Sequence, residues 1–246
     1  MGTLFHSSLL RAYLSGILIV NLEAASAASL EISPVSIELE ASQNGQVLTL
    51  RNTGTQALNA QVRIYAWNQA AGDEQLTPTQ DLLASPPIAP VPPGGAQIVR
   101  LMRAGQAPSP REMTYRLFID ELPSGNAPGA SGVQFRFRYS VPVFLYPAGQ
   151  RGAPDTHWSV EARDGKWLLR VSNSGALHAR ISDVTLTGAG MRVPVHTGLL
   201  GYALAGRERA WPLALPPSSW RGGEARLEAT ANINGKLVTT PVAFEH

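Results

Sequence analysis

The side chains that could perform chemistry are scattered along this chain and form no known catalytic pattern. Its five histidines are His6, His157, His178, His196 and His246. None of them has a partner at the short spacing of a metal-binding motif. The sequence also lacks a Gly-x-Ser-x-Gly nucleophile elbow, a phosphate-binding loop and a His-Glu-x-x-His motif. We therefore predict no enzymatic activity, no metal and no cofactor.

Arg116 is the charged side chain with the clearest capacity to bind a ligand. It lies in the middle of an apolar segment and shares a strand face with Phe118 and Asp120. A charge at such a place must be solvated at a cleft or paired. Two interpretations stay open, namely a structural ion pair with Asp120 and an anion anchor in a cleft.

A long alternating segment runs from Val133 to Phe144. Apolar residues occupy every second position: Val133, Phe135, Phe137, Tyr139, Val141 and Val143. This period of two predicts a strand, and Pro142 predicts that at least this end of it lies at a sheet edge or bulge. Because a long apolar edge is an aggregation hazard, we expect a protein that keeps one to pair it with another chain.

The first 27 residues have the features of a secretory signal peptide. Arg11 precedes an apolar run from Ala12 to Leu22, and Ala25-Ser26-Ala27 has the small residues of a cleavage site. The run is short for a membrane span, so we expect cleavage near Ala28 and no membrane insertion afterwards. An uncleaved anchor is the alternative. These features fit a protein of a bacterial periplasm.

Composition bounds the remaining possibilities. The chain has no cysteine, so an exported fold must be held together by its cores alone. The net charge is +2 and the arginines are spread among strand-like segments, which argues against nucleic-acid binding.

Nearly all of the chain after residue 28 reads as short strands separated by turns. The alternation slips by one residue around Pro34, which predicts a bulge or a strand that switches sheets. Asp164-Gly165 and Asn234-Gly235 favour two-residue hairpins. Asn52-Thr53-Gly54 returns as Asn173-Ser174-Gly175, and residues 147–154 mark a boundary. The sequence therefore predicts an all-β protein of two β-sandwiches in tandem.

Three segments together resemble the periplasmic pilus-assembly chaperones of the chaperone–usher pathway. They are Ser85 to Leu101, Tyr115 to Pro123, and the alternating strand that runs into Val143-Phe144-Leu145-Tyr146-Pro147. The resemblance implies two immunoglobulin-like domains, 28–148 and 149–246, arranged as a boomerang with a cleft between them. It also implies that the first domain lends its last strand to a pilus subunit that lacks one, and that Ser85–Pro86 is a cis peptide.

The resemblance also assigns roles to individual residues. The donor residues of the family align with Val133, Phe135 and Phe137, and Tyr139 and Val141 continue the row. Well-known members anchor the subunit's C-terminal carboxylate with an Arg and a Lys. Ser36 and Pro142 stand at those positions here, so the chain resembles the archaic branch instead. Arg116 is then the expected anchor, with Arg138 or Arg136 as a second cation.

Three functional hypotheses follow. The first is a periplasmic chaperone that captures pilus subunits, delivers them to an outer-membrane usher and exists as a monomer or a 1:1 complex. The second is a β-sandwich pilus subunit or a carbohydrate-binding adhesin, which would bind a glycan through exposed tryptophans. The candidate tryptophans are Trp158, Trp167, Trp211 and Trp220. The third is a secreted hydrolase on the same scaffold, which the missing catalytic motifs argue against.

Overall fold

The structure, a computed structural model, describes residues 30–105, 109–122, 136–149, 152–214 and 226–245. The expected signal peptide, the donor positions Val133 and Phe135, and Trp220 lie outside these residues. All regular elements in the described ranges are β-strands. Within these ranges there is no helix with the length and apolar character needed to cross a bilayer. The prediction of an all-β fold is confirmed.

The first half of the chain forms two sheets that face each other. Its strands are β1 (Leu30–Ser33), β2 (Ile37–Leu39), β3 (Gly45–Asn52), β4 (Leu58–Ala70), β5 (Asp73–Pro78), β6 (Leu82–Ser85), β7 (Ile88–Val91), β8 (Ala96–Arg103), β9 (Met113–Leu122) and β10 (Arg138–Leu145). One sheet has the order β1-β3-β8-β6, and the other has the order β2-β10-β9-β4-β5 with β7 paired to β4. Alternate apolar residues of both sheets fill the space between them, as in a β-sandwich.

Pro34 marks the point at which the chain changes sheets. The Ser33–Pro34 peptide is cis, and so is Ser85–Pro86 as the resemblance implied. Before Pro34, β1 pairs with β3 in the four-stranded sheet; after it, β2 pairs in parallel with β10 in the other sheet. The slip in alternation around Pro34 therefore reflects a strand that switches sheets.

The described residues of the second half form one continuous ladder of seven strands around their own core. They are β11 (Thr156–Arg163), β12 (Lys166–Asn173), β13 (Ala179–Gly188), β14 (Met191–Ala203), β15 (Arg207–Leu213), β16 (Leu227–Ile233) and β17 (Lys236–Glu245). The order is β14-β13-β16-β17-β11-β12-β15, and the two end strands, β14 and β15, contact each other. Register shifts in the β13–β14 pair let the ladder curve around the core.

In the described part of the chain, four two-residue hairpins have backbone angles in the left-handed region. Asp164-Gly165 and Asn234-Gly235 join β11–β12 and β16–β17 with φ near +50° at the first position, which confirms both predicted turns. Ala71-Gly72 and Ala189-Gly190 adopt the same pair of angles. The sequence did not reveal these two turns because alanine seldom takes a positive φ.

The repeated Asn-x-Gly motif is a repeated structural device. The Asn52 side chain donates to the carbonyls of Gln56 and Val91, and its oxygen accepts from the Gly54 N–H. Asn173 does the same with Leu177, Ala203 and Gly175. Both side chains are buried, and each one satisfies the backbone of a loop that closes its own sandwich.

A small aromatic core joins the two halves. It consists of Trp67 and Phe144 from the first half and Tyr202 and Leu204 from the second. Beside it the Gln69 amide donates to the Tyr202 carbonyl (2.8 Å) and accepts from the Leu204 N–H (2.9 Å). These contacts place Tyr202 next to the sheet face that carries Arg116.

Candidate functional site

Strand β10 presents an open edge over most of its length. On one side it pairs with β9 from Arg138 to Leu145. On the other side β2 covers only Val143 to Leu145. In the part of the chain that the structure describes, the backbone of Arg138 to Pro142 thus has no strand on that second side. Pro142, which cannot donate a ladder hydrogen bond, lies on this open stretch as the sequence predicted.

The residues predicted to fill a partner's groove divide into two groups. Val141 is 3% exposed and packs in the core of the first sandwich, and Tyr139 packs against that core from its rim. Phe137 is 41% exposed, although the Glu121 N–H still donates to its carbonyl (3.1 Å) and so keeps it alongside β9. Val141 thus packs inside its own domain, because pairing with β9 and β2 holds this end of β10 over the core. Among the described members of the row, Phe137 is the accessible one and Tyr139 is partly so.

Tyr139 marks the transition between these two groups. Its hydroxyl donates to a Glu121 carboxylate oxygen at 3.1 Å. Burial, reinforced by the charge of Glu121, raises the pKa of Tyr139 to about 12. Its ring lies 6.4 Å from that of Phe137, so the two aromatic side chains form one surface at the edge of the core.

Arg116 lies at the base of the space between the two halves. Its guanidinium carbon is 3.7 Å from the centroid of the Trp67 ring and 5.4 Å from that of Tyr202. Its only ion-pair partner among the described residues is Glu74, at 3.5 Å. Burial lowers the pKa of Arg116, and Glu74 opposes that effect. Arg116 is therefore held mainly by aromatic rings, and it makes no ion pair with Asp120.

Asp120 instead binds two other arginines. It accepts a hydrogen bond from Arg63 at 2.6 Å and another from Nε of Arg138. Burial alone would raise the pKa of Asp120, but the hydrogen bonds from Arg138 and Arg63 outweigh it and lower the pKa below its usual value. The Asp120 carboxylate therefore binds two guanidinium groups at once.

The structure does not bring Arg116 and Arg138 together. In the β9–β10 ladder Arg138 is opposite Asp120, whereas Arg116 is opposite Pro142, four residues further along. This separation is about 13 Å along the strands. Arg116 leans towards Trp67, away from Arg138. The two cations predicted to share one carboxylate therefore occupy separate places.

Comparison with known proteins identifies the family. Residues 29–151, half of the chain, match the family described as "Pili and flagellar-assembly chaperone, PapD N-terminal domain". This chain belongs to that family. The resemblance seen in the sequence is confirmed.

Individual relatives are more distant. The probable fimbrial chaperone YadV of Escherichia coli K12 is 25% identical over 191 residues, which are 72% of this chain and 76% of that protein. A chain of the CsuC–CsuE chaperone–tip adhesion subunit pre-assembly complex, from archaic chaperone-usher Csu pili of Acinetobacter baumannii, matches with a TM-score of 0.68. It is 23% identical, and the match covers 89% of this chain and all of that one. The CupB2 chaperone of Pseudomonas aeruginosa matches with a TM-score of 0.55 and 17% identity, over 87% of this chain and all of that one. These likenesses confirm the fold of two immunoglobulin-like domains.

Sequence reasoning missed a contact between the two halves that is formed by His178, Phe144 and Glu112. His178 of the second half stacks on Phe144 of β10, with ring centroids 3.5 Å apart and planes 8° from parallel. Both oxygens of Glu112 bind His178, one at the backbone N–H and the other at Nδ1, each at 2.8 Å. The Glu112 side chain is fully buried. The signal in the sequence was Phe144 itself, a large apolar residue on the face opposite the alternating row. Such a side chain must be buried by another part of the chain.

Proposed function

We propose that this protein is a periplasmic chaperone that captures pilus subunits by donating the strand segment from Val133 to Tyr139. The observation that carries the proposal is the open edge of β10, from Arg138 to Pro142, with exposed Phe137 directly before it. A subunit strand that pairs with this edge forms main-chain hydrogen bonds with β10. The alternate side chains of the donated segment then fill pockets of the subunit. The subunit would then complete its own fold on this edge.

Further parts of the proposal rest on the relatives. The Csu structure is a complex of a chaperone with a tip adhesion subunit from an archaic chaperone-usher system, which supports a subunit partner and the archaic branch for this chain. By the same analogy we also propose delivery to an outer-membrane usher and a monomeric or 1:1 state. We place the signal peptide at 1–27 and the domains at 28–148 and 149–246.

Arg116 is the proposed anchor for the subunit's terminal carboxylate. It is a cation at the base of the interdomain space, stacked on Trp67 and only loosely paired with Glu74. A guanidinium can bind a carboxylate through two parallel hydrogen bonds while it keeps its stacking contact. Because Arg138 lies elsewhere, Arg116 would act without it.

The adhesin alternative has less support. Trp158 is 3% exposed, and Trp167 and Trp211 pack against the core of the second half. Trp220 lies outside the described residues. A glycan platform needs an open aromatic ring, which none of these three buried or partly buried side chains provides in full.

Co-purification from the native host tests the proposed function. A tagged protein should elute with a small β-rich partner at equal stoichiometry. The double variant Phe135→Ser/Phe137→Ser should lose this partner, because burying each Phe contributes about 1.5–3 kcal/mol. The matched control, Gln134→Ser, changes an adjacent polar position of the same segment and should retain the partner. Capture that survives the double Phe variant would reject the donor-strand role.

A further inference from the structure

Resting on the function proposed above, we propose that the client strand paired with β10 carries a carboxylate side chain beside Arg138. The carboxylate belongs to an Asp or Glu on the cleft-facing side of that strand and is distinct from the chain terminus that Arg116 would hold. The open edge of β10 would then select its client strand by charge as well as by apolar side chains.

The position of the incoming side chain follows from the ladder. A strand added to the edge of β10 continues the six-stranded sheet, and its side chains alternate between the core face and the cleft face. On the cleft face of the open stretch, β10 presents Arg138 and Ser140, both exposed. Directly opposed residues of neighbouring strands have Cβ atoms about 4.5–5.5 Å apart. A side chain opposite Arg138 is thus within reach of its guanidinium.

The local charge balance leaves Arg138 short of an anion. Asp120 is the only carboxylate that contacts it among the described residues, and Asp120 is already bonded to Arg63 at 2.6 Å. One negative charge is thus shared by two guanidinium groups. Arg136, two residues earlier in the chain and also exposed, adds to the positive excess. A carboxylate on the client would balance this excess.

Arg138 is oriented to accept such a partner. Its Nε bonds to Asp120, and its guanidinium carbon lies 5.7 Å from the centroid of the Phe118 ring. Arginine has five N–H donors, so about four remain on the two terminal nitrogens. The side chain is 60% exposed, whereas Asp120 is 16% exposed, so the guanidinium covers the acid and faces outwards. Holding the cation in place beforehand lowers the entropic cost of binding.

A pair of synthetic peptides tests the inference directly. Both are about 11 residues long and alternate Val with a charged residue, which is Glu in one and Lys in the other. Fluorescence anisotropy with the purified protein at about 50 mM salt should show at least about tenfold tighter binding of the Glu peptide. Arg138→Glu should reverse the preference. Arg100→Glu, an exposed arginine on the outer face of the opposite sheet, is the matched control and should leave it unchanged.

Three results would contradict a client carboxylate beside Arg138. Equal affinities of the wild type for both peptides, or binding of neither, would overturn the inference. A preference that persists in Arg138→Glu but disappears in Arg116→Ala would assign the carboxylate to Arg116 instead. Co-purification of a client that depends on Phe137 while no charge preference exists would reject this inference and leave the proposed function intact.

Discussion

Arg116 is held at the base of the cleft by aromatic rings rather than by a strong ion pair. A guanidinium at 3.7 Å from the Trp67 ring centroid keeps its planar edge free to bind a carboxylate. Its Glu74 partner is 3.5 Å away on a half-exposed side chain, so the competing interaction is weak. This arrangement suits the proposed anchor role, in which a client carboxylate would replace Glu74 as the partner of Arg116.

Replacement of Arg116 by Ala should weaken client capture by more than about tenfold, because the client's terminal carboxylate loses a charge-assisted hydrogen bond. Arg116→Lys should recover only part of the affinity, since an ammonium group has no planar fork and stacks poorly. Calorimetric titration of the co-purified client measures both. An affinity that Arg116→Ala leaves unchanged would remove this residue from the site, provided that the variant unfolds at the wild-type denaturant concentration.

Asp120 should make the stability of the protein depend on pH. Its pKa is lower in the folded state than the usual value of 3.8. The stabilisation that the Asp120 carboxylate provides is therefore fully present above its pKa in the unfolded chain. It is lost as the pH falls through its pKa in the folded protein. Asp120→Asn should lower the free energy of unfolding at pH 7, and the gap to the wild type should close below about pH 4. Urea titrations across this range measure the gap, and one that stayed constant with pH would contradict the ion-pair assignment.

At the level of strands and turns, much of the fold follows from local patterns. Short strand-like segments separated by turns predict the all-β fold, and the slip at Pro34 predicts either a bulge or the change of sheet that the structure shows. The turns at Asp164-Gly165 and Asn234-Gly235 follow from residues that tolerate a positive φ. Strand β5 gave no signal because all six of its residues are exposed. Glu74 lies on β5, so the sequence could not identify it as the partner of Arg116 and offered Asp120 as the one candidate for an ion pair.

The turn at Ala189-Gly190 offers a test of this local reasoning. Ala189 has φ of +50°, a conformation that costs a residue with a Cβ about 1–2 kcal/mol. Asn adopts it more readily, so Ala189→Asn should raise the free energy of unfolding by up to about 1 kcal/mol. The matched control Ala189→Val should lower it, because a β-branched side chain is poorly suited to a positive φ. Chemical denaturation of both variants measures the difference, and a stabilising Val would refute the explanation.

The relation between the two halves depends on contacts that no local pattern encodes. The Gln69 amide bonds the backbone of Tyr202 and Leu204, more than 130 residues away in the sequence. The β4–β5 turn also meets β15, where the Ala210 N–H donates to the Gly72 carbonyl at 3.0 Å and Arg209 binds Asp73 at 3.0 Å. These bonds fix Tyr202 beside Arg116. The geometry around Arg116, the proposed carboxylate anchor, is thus a property of the whole molecule.

Gln69→Leu should therefore loosen the two halves and weaken capture, although Gln69 lies away from the open edge of β10. Leucine has a similar volume, but it leaves a buried carbonyl and a buried N–H without partners, each at about 1–3 kcal/mol. Because the chain has no cysteine, Arg100→Cys and Lys166→Cys place one spin label on each half, and the distance distribution between them should broaden. Gln75→Leu, at an exposed position on β5, is the matched control. A distribution as narrow as the wild type's, with client affinity intact, would show that the aromatic cluster alone fixes the cleft and that the glutamine is dispensable.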